Sequence, residues 1–169
     1  MLELKSETMT TIEKIQAFLY SEARSLDDKE WDEWLTHYHE DVQFWMPAWD
    51  DEDELTDDFN SQISLVYYPN KEGLEDRVFR IKTERSSAST PEPRTIHMIS
   101  NVEVLEETED EIKIRFNWNT QSFRYQTKDN YFGCSFYTLK KTDDSFLISN
   151  KKIILKSDYI RQVIDIYHF

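Results

Sequence analysis

One cysteine, two glycines and four prolines are all that these 169 residues hold of three structurally decisive types. A lone Cys134 excludes an internal disulfide and any thiolate metal cluster built within one chain. It suits a reducing compartment, and a cytoplasmic setting is expected. Two glycines, Gly73 and Gly133, exclude the glycine-rich loops that cradle phosphates in P-loop and dinucleotide-binding proteins. No apolar run approaches the ~20 residues needed to cross a bilayer. The start, MLELKSETMTT, shows neither a basic leader nor a long apolar stretch, so no export signal is expected. Residues 1–8 are expected to form a flexible tail, followed by one domain over 9–169. Basic residues are scarce too: 20 against 34 acidic, a net charge of −14. Nucleic acid needs a basic footprint to meet its phosphates, and an anionic membrane needs the same, so neither partner is expected. The acidic run Asp50 to Glu54 reads as a solvated loop.

What is present is periodic. Thr10-x-x-Glu13 is a capping-box pattern. Ile12, Ile15, Phe18, Leu19, Ala23 and Leu26 follow at helical spacing and predict a helix over about residues 10–26. Asp27 or Asp28 is placed to cap a second, shorter helix with Trp31, Trp34, Leu35 and Tyr38 on one stripe. Val42 to Trp49 reads as a strand stopped near Pro47. Leu74, Val78 and Ile81 mark a third helix after the breaker Pro69-Asn70. Ser86 to Pro93 reads as a loop.

The second half reads as sheet. Ile96 to Leu105 begins it. Ile112, Ile114, Phe116 and Trp118 then alternate with polar residues, as in a half-buried strand. The apolar phase shifts afterwards to Phe123 and Tyr125, which predicts a bulge near residues 119–122. Tyr131 to Leu139 and Phe146 to Leu155 are further strands. Helices followed by long antiparallel strands give an α+β fold, with a curved sheet around a helix layer.

Candidate chemistry is thin. His37-x-His39-Glu40-Asp41 has metal-site residue types, but helical i and i+2 side chains diverge and cannot share an ion. The plainer reading is a helix C-terminus, where histidines sit well beside the carbonyl ends. His97 near a strand start reads as a hydrogen-bonded structural residue. Cys134 in an apolar strand reads as inert packing. No catalytic, cofactor-binding or metal-ligating residue is assigned.

Binding residues are better represented. Tyr67 to Val104 carries Arg77, Arg80, Arg85 and Arg94 in an otherwise acidic chain. Arginine forks pair with carboxylates and anchor interfaces, and Tyr and Trp join large apolar area to one polar handle. The candidate subunit-interface residues are Trp49, Tyr67, Tyr68, Arg77, Arg80, Arg94, Tyr125 and His168.

Three blocks carry a family likeness: DDKEWDEWLTHYHEDVQFWMPAWDDEDELT at 27–56, ISLVYYPNKEGLEDRVFRIKTERSSASTPEPRTIHMISNVEV at 63–104, and SDYIRQVIDIYHF at 157–169. With the strands between them, the chain resembles the small (β) subunit of bacterial aromatic-ring-hydroxylating dioxygenases over about residues 9–169. The benzoate and anthranilate 1,2-dioxygenase group is the most similar. The resemblance implies a cone-shaped α+β roll of the nuclear-transport-factor-2 or cystatin-like type. It implies a large (α) subunit carrying a Rieske 2Fe–2S centre and a mononuclear Fe(II), with NADH supplying electrons through a reductase. It implies an assembly of three large and three small subunits, with small-subunit contacts in a trimeric base. A Rieske centre needs two Cys and two His, which one Cys cannot supply. This chain is therefore expected to be the non-catalytic, structural subunit.

Two rivals share the expected fold. One is a stand-alone isomerase or dehydratase using Asp, His or Tyr inside the cone. It requires His37, His39 or His97 to converge with a carboxylate in an enclosed pocket. The other is a small-ligand-binding module without an oxygenase partner.

Overall fold

The computed structural model describes residues 9–83, 91–157 and 159–169. The expected tail at 1–8, Arg85 and most of the expected loop at 86–93 lie outside the described residues.

The first helix, α1 (Thr11–Asp27), begins where its capping box predicts. The Thr10 N–H donates to Glu13 Oε2 at 2.7 Å, and the Glu13 N–H donates to Thr10 Oγ1 at 3.4 Å. Its apolar stripe, Ile15, Phe18, Leu19 and Leu26, is buried. The second helix, α2 (Trp31–Thr36), departs from the sequence expectation. Its N-cap is Glu30, without a side-chain cap, and Asp28 ends α1. Asp27 is not a cap, because its carboxylate is used by a distant strand, as described below. Tyr38 is not on α2 but opens β1 (Tyr38–Pro47).

Next come β2 (Ser64–Tyr68) and α3 (Lys71–Lys82), which buries Leu74, Val78 and Ile81. Four long strands follow: β3 (Arg94–Glu107), β4 (Glu111–Arg124), β5 (Thr127–Lys141) and β6 (Phe146–Leu155). A C-terminal strap ends in a short 3-10 turn at Ile166–His168. The strands form one open sheet in the order β2-β1-β6-β5-β4-β3. Only β1 and β6 run parallel; the other neighbours are antiparallel. The three helices and the strap supply the buried residues that pack with the inner face of the sheet.

The expected bulge at 119–122 is absent. β4 pairs without interruption with β5, from Glu111↔Lys140 to Arg124↔Thr127. Thr120 and Ser122 keep the inward phase of Trp118, while Phe123 and Tyr125 are exposed. Two inward polar residues beside two outward aromatics mimic a phase shift in the sequence. In the β3–β4 pair the register shifts fall on β3 instead, between Ser100 and Glu103 and between Val104 and Glu106. Asn101 there has φ of 54°. Such irregularities bend a strand and increase its twist.

At the middle of the inner face sits a buried polar network. Glu22 Oε1 accepts from Lys151 Nζ at 2.7 Å, Tyr38 Oη at 2.6 Å and Trp34 Nε1 at 3.2 Å. Glu22 Oε2 accepts from Tyr137 Oη at 3.2 Å. Lys151 Nζ also lies over the rings of Phe44 and Tyr137, 5.1 Å from each centroid. Burial opposes the Glu22 carboxylate, but the Lys151 charge and these hydrogen bonds outweigh it and hold its pKa below the ordinary value. The network ties α1, α2, β1, β5 and β6 together. Close by, a Cβ at Gly133 would lie 1.8 Å from the Ile154 carbonyl oxygen, so β5 and β6 approach only because this residue has no side chain.

Candidate partner-binding surface and polar interior

The two-histidine segment is split between α2 and β1. His37 caps the C-terminus of α2, with Nδ1 3.1 Å from the Glu33 carbonyl and 3.2 Å from that of Trp34. Its Nε2 meets Ser21 Oγ at 3.1 Å. His39 lies on β1, near Lys140. His37 takes the carbonyl-end placement the sequence favoured, and His39, already on the strand, does not. Among the described residues, no group of three His, Cys, Asp or Glu is placed to hold a metal ion.

The candidate interface residues separate into distinct places. Tyr67, Tyr68 and Arg77 line a shallow cleft of about 310 Å³ with Leu65 and with Val163 to Ile166 of the strap. Tyr67 stacks on Phe59, with centroids 4.7 Å apart, and Tyr68 packs edge-on against Phe44. Arg77 grips Asp165 with a bidentate fork; its Nε donates at 2.8 Å and its Nη2 makes the second contact. Arg80 is exposed on the outer side of α3. Trp49 follows β1 and donates from Nε1 to the Leu155 carbonyl at 2.6 Å.

Arg94 and Tyr125 lie at the other end of the sheet. The Arg94 guanidinium covers the Phe123 ring at 4.8 Å. Tyr125 and Gln126 form the two-residue turn between β4 and β5, with φ of 52° and 58°. This turn normally takes Asn-Gly, because both central residues must adopt the left-handed region. An aromatic residue that is 67% exposed occupies it instead, with Arg124 stacked over the ring at 4.7 Å. Ile96, Met98, Phe123 and Phe132 are also exposed on this outer face.

His168 is buried in the strap, and its Nδ1 accepts from the Asp165 N–H at 3.0 Å. Burial pushes its pKa down to about 4. His97 converges with a carboxylate, beside an open cleft and not in the enclosed pocket that the stand-alone-enzyme rival requires. Its Nδ1 lies 2.6 Å from Asp27 Oδ1, and its backbone N–H donates to Asp27 Oδ2 at 2.9 Å. Burial works against the Asp27 carboxylate, but these His97 contacts prevail and lower its pKa. Seventy positions separate the two residues. The sequence carried no local signal for Asp27 as the partner of His97.

The sequence matches the ring hydroxylating beta subunit family over residues 21–162. The chain belongs to that family. The toluate 1,2-dioxygenase subunit beta of Pseudomonas putida is 58% identical over 92% of this chain and 96% of its own length. The benzoate 1,2-dioxygenase subunit beta of Acinetobacter baylyi is 57% identical over 94% of each chain. The crystal structure of the beta subunit of benzoate 1,2-dioxygenase from Burkholderia mallei superposes with a TM-score of 0.80. It is 52% identical and covers 96% of this chain and 99% of its own. The roll expected from the resemblance is therefore the roll of a ring-hydroxylating beta subunit. Among the described residues, no helix of this family member is long and apolar enough to cross a membrane.

Proposed function

We propose that this chain is the small structural subunit of a cytoplasmic dioxygenase that cis-dihydroxylates an aromatic carboxylate of the benzoate, toluate or anthranilate kind. The observation that carries the reading is near-end-to-end similarity, at 57–58% identity, to the beta subunits of toluate and benzoate 1,2-dioxygenases. The chain would brace a large subunit, in an assembly of three large and three small subunits. A Rieske 2Fe–2S cluster does not fit this chain, whose single thiol, Cys134, is buried. The cluster, the mononuclear Fe(II) and the NADH-dependent reductase belong to partner chains in this reading. This chain's own contribution is shape and contact surface.

Residues 9–169 act as one unit in this reading, behind a tail at 1–8; one core cluster running from Ile15 to Phe169 supports this. Tyr125, Arg94, Arg80, Trp49, Tyr67 and Tyr68 are the side chains that meet neighbouring subunits. Arg77 and His168 shape the same surface by holding the strap. The strained, exposed Tyr125 is the best-supported of these, since strain persists where a site uses it.

The test is co-expression with a candidate large subunit. Co-purification is expected, with iron and the Rieske absorption following the large chain alone. Stoichiometric iron on the isolated small chain, or turnover of an aromatic acid by it, would sink the reading.

A further inference from the structure

The register of β3, β4 and β5 lines up a set of side chains on the outer face of the sheet. Arg94, Phe123 and Lys128 stand opposite one another across the three strands. Two residues further along, Ile96 stands opposite Gln121. After two more, Met98, Asn119 and Phe132 form a third row. Opposed residues share a face, and so do residues two positions apart. Ile96, Met98, Phe123 and Phe132 are between 38% and 56% exposed. A groove of about 330 Å³ runs over Arg94, Ile96, Gln121, Phe123 and Lys128. Arg77, Arg115 and Arg161 pair with carboxylates, whereas Arg94 lies over the Phe123 ring. An exposed apolar face with a charged rim is the signature of an interaction surface.

The far end of the β3–β4 hairpin has the opposite charge. Six of the nine residues 103–111 are acidic. Among them Val104 and Leu105 are 39% and 55% exposed. Leu105 has no partner on β4, because the register shifts between Val104↔Ile114 and Glu106↔Lys113. Such a shift re-aims a side chain. β3 is an edge strand, and edges are ordinarily guarded by charge; this one presents a leucine between its acids. Ile96 and Leu105 are about 30 Å apart along the strand, so a chain cannot lay its own tip on its own face.

These two surfaces complement each other and not themselves. Two faces laid together would set Arg94 and Lys128 against their own copies, and two tips would set carboxylate against carboxylate. Face against tip joins a basic rim to an acidic segment and apolar groups to apolar groups. Such a contact is head-to-tail, the kind that closes into a ring.

We propose that the outer face of β3–β5 receives the β3–β4 tip of a second copy of this chain. Leu105 seats among Ile96, Met98 and Phe132, and the acids of the tip meet Arg94 and Lys128. The proposal rests on the subunit reading for the number of copies, three, and adds which surfaces join them.

Sedimentation of the full chain, without a large subunit, tests it. Ile96→Asp spoils the face and leaves the tip; Leu105→Lys spoils the tip and leaves the face. Both positions are exposed, and circular dichroism checks that the fold is kept. The wild type is expected to sediment as three chains and each variant as one. An equal mixture of the two variants regains association, because an intact tip meets an intact face. A monomeric wild type overturns the proposal. So does a mixture no more associated than its parts, which marks a face that pairs with itself. If a variant does not fold, the salt dependence of the wild type decides. Complementary charge predicts dissociation as salt rises, and association that tightens with salt overturns the proposal. If Ile96→Asp loses a large subunit but still self-associates, the face belongs to that subunit and the proposal fails. A wild-type ring that binds no large subunit would count against the oxygenase reading alone.

Discussion

Two regions of the inner face, its middle and its β3–β4 end, are built from similar residues and treated in opposite ways. Around Glu22 and Lys151, each buried polar group is answered by another side chain, across five elements of the fold. Around His97 and His168, each ring has one nitrogen held by the chain and the other unanswered. The first arrangement is a lock that fixes how the helices sit on the sheet. The second is a frame of rings held from one side only. A polar interior in this fold is thus not one feature with one meaning.

Breaking the lock has the largest expected effect. Lys151→Met leaves the Glu22 carboxylate buried without its counter-charge, at a cost of about 3–5 kcal/mol in chemical denaturation. Adding Glu22→Leu removes the stranded charge and recovers part of that loss. If the double variant is no more stable than Lys151→Met alone, the network is not a simple ion-pair lock.

The frame end responds to pH. His168 titrates near 6.5 when unfolded and about 4 when folded, because burial disfavours its charged form. Asp165, His97, Asp129 and Arg124 are the charged or titratable groups bearing on it. A depressed folded pKa gives stability that is present above 6.5 and lost as pH falls toward 4. The loss is roughly 3 kcal/mol, from about 1.4 kcal/mol per unit. Urea titrations across this window should show the slope, and His168→Gln should flatten it. An equal slope in the variant would assign the acid loss to the carboxylates.

The smallest effect on folding is expected at the surface. Replacing Tyr125-Gln126 with Asn-Gly relieves two left-handed residues and should raise stability by roughly 1 kcal/mol. The same change should weaken association with the large subunit, read by sedimentation. Tighter or unchanged association would remove Tyr125 from the interface.

The sequence was legible where the information is local. Thr10 and Glu13 announced the start of α1, and Ile112 to Trp118 announced an inner face. It misled where an inner face is polar. Thr120 and Ser122 face inward beside outward Phe123 and Tyr125, and a hydrophobicity pattern reads that as a slipped register. β2 was not distinguished from its surroundings, because its short run is only half-buried. Long-range pairs left no trace. Asp27 and His97 are 70 positions apart, and Arg77 and Asp165 are 88 apart. Spacing rules reach one or two turns and cannot find such partners.

The central claim is that this chain supports an oxygenase through contact and holds no catalyst. Its most direct test is the mass and iron content of the complex formed with a candidate large subunit, measured by light scattering and metal analysis on one chromatographic peak. The account predicts one peak with equal numbers of both chains, three of each, and iron in proportion to the large chain. A free small chain eluting apart from an intact, active large subunit would contradict it.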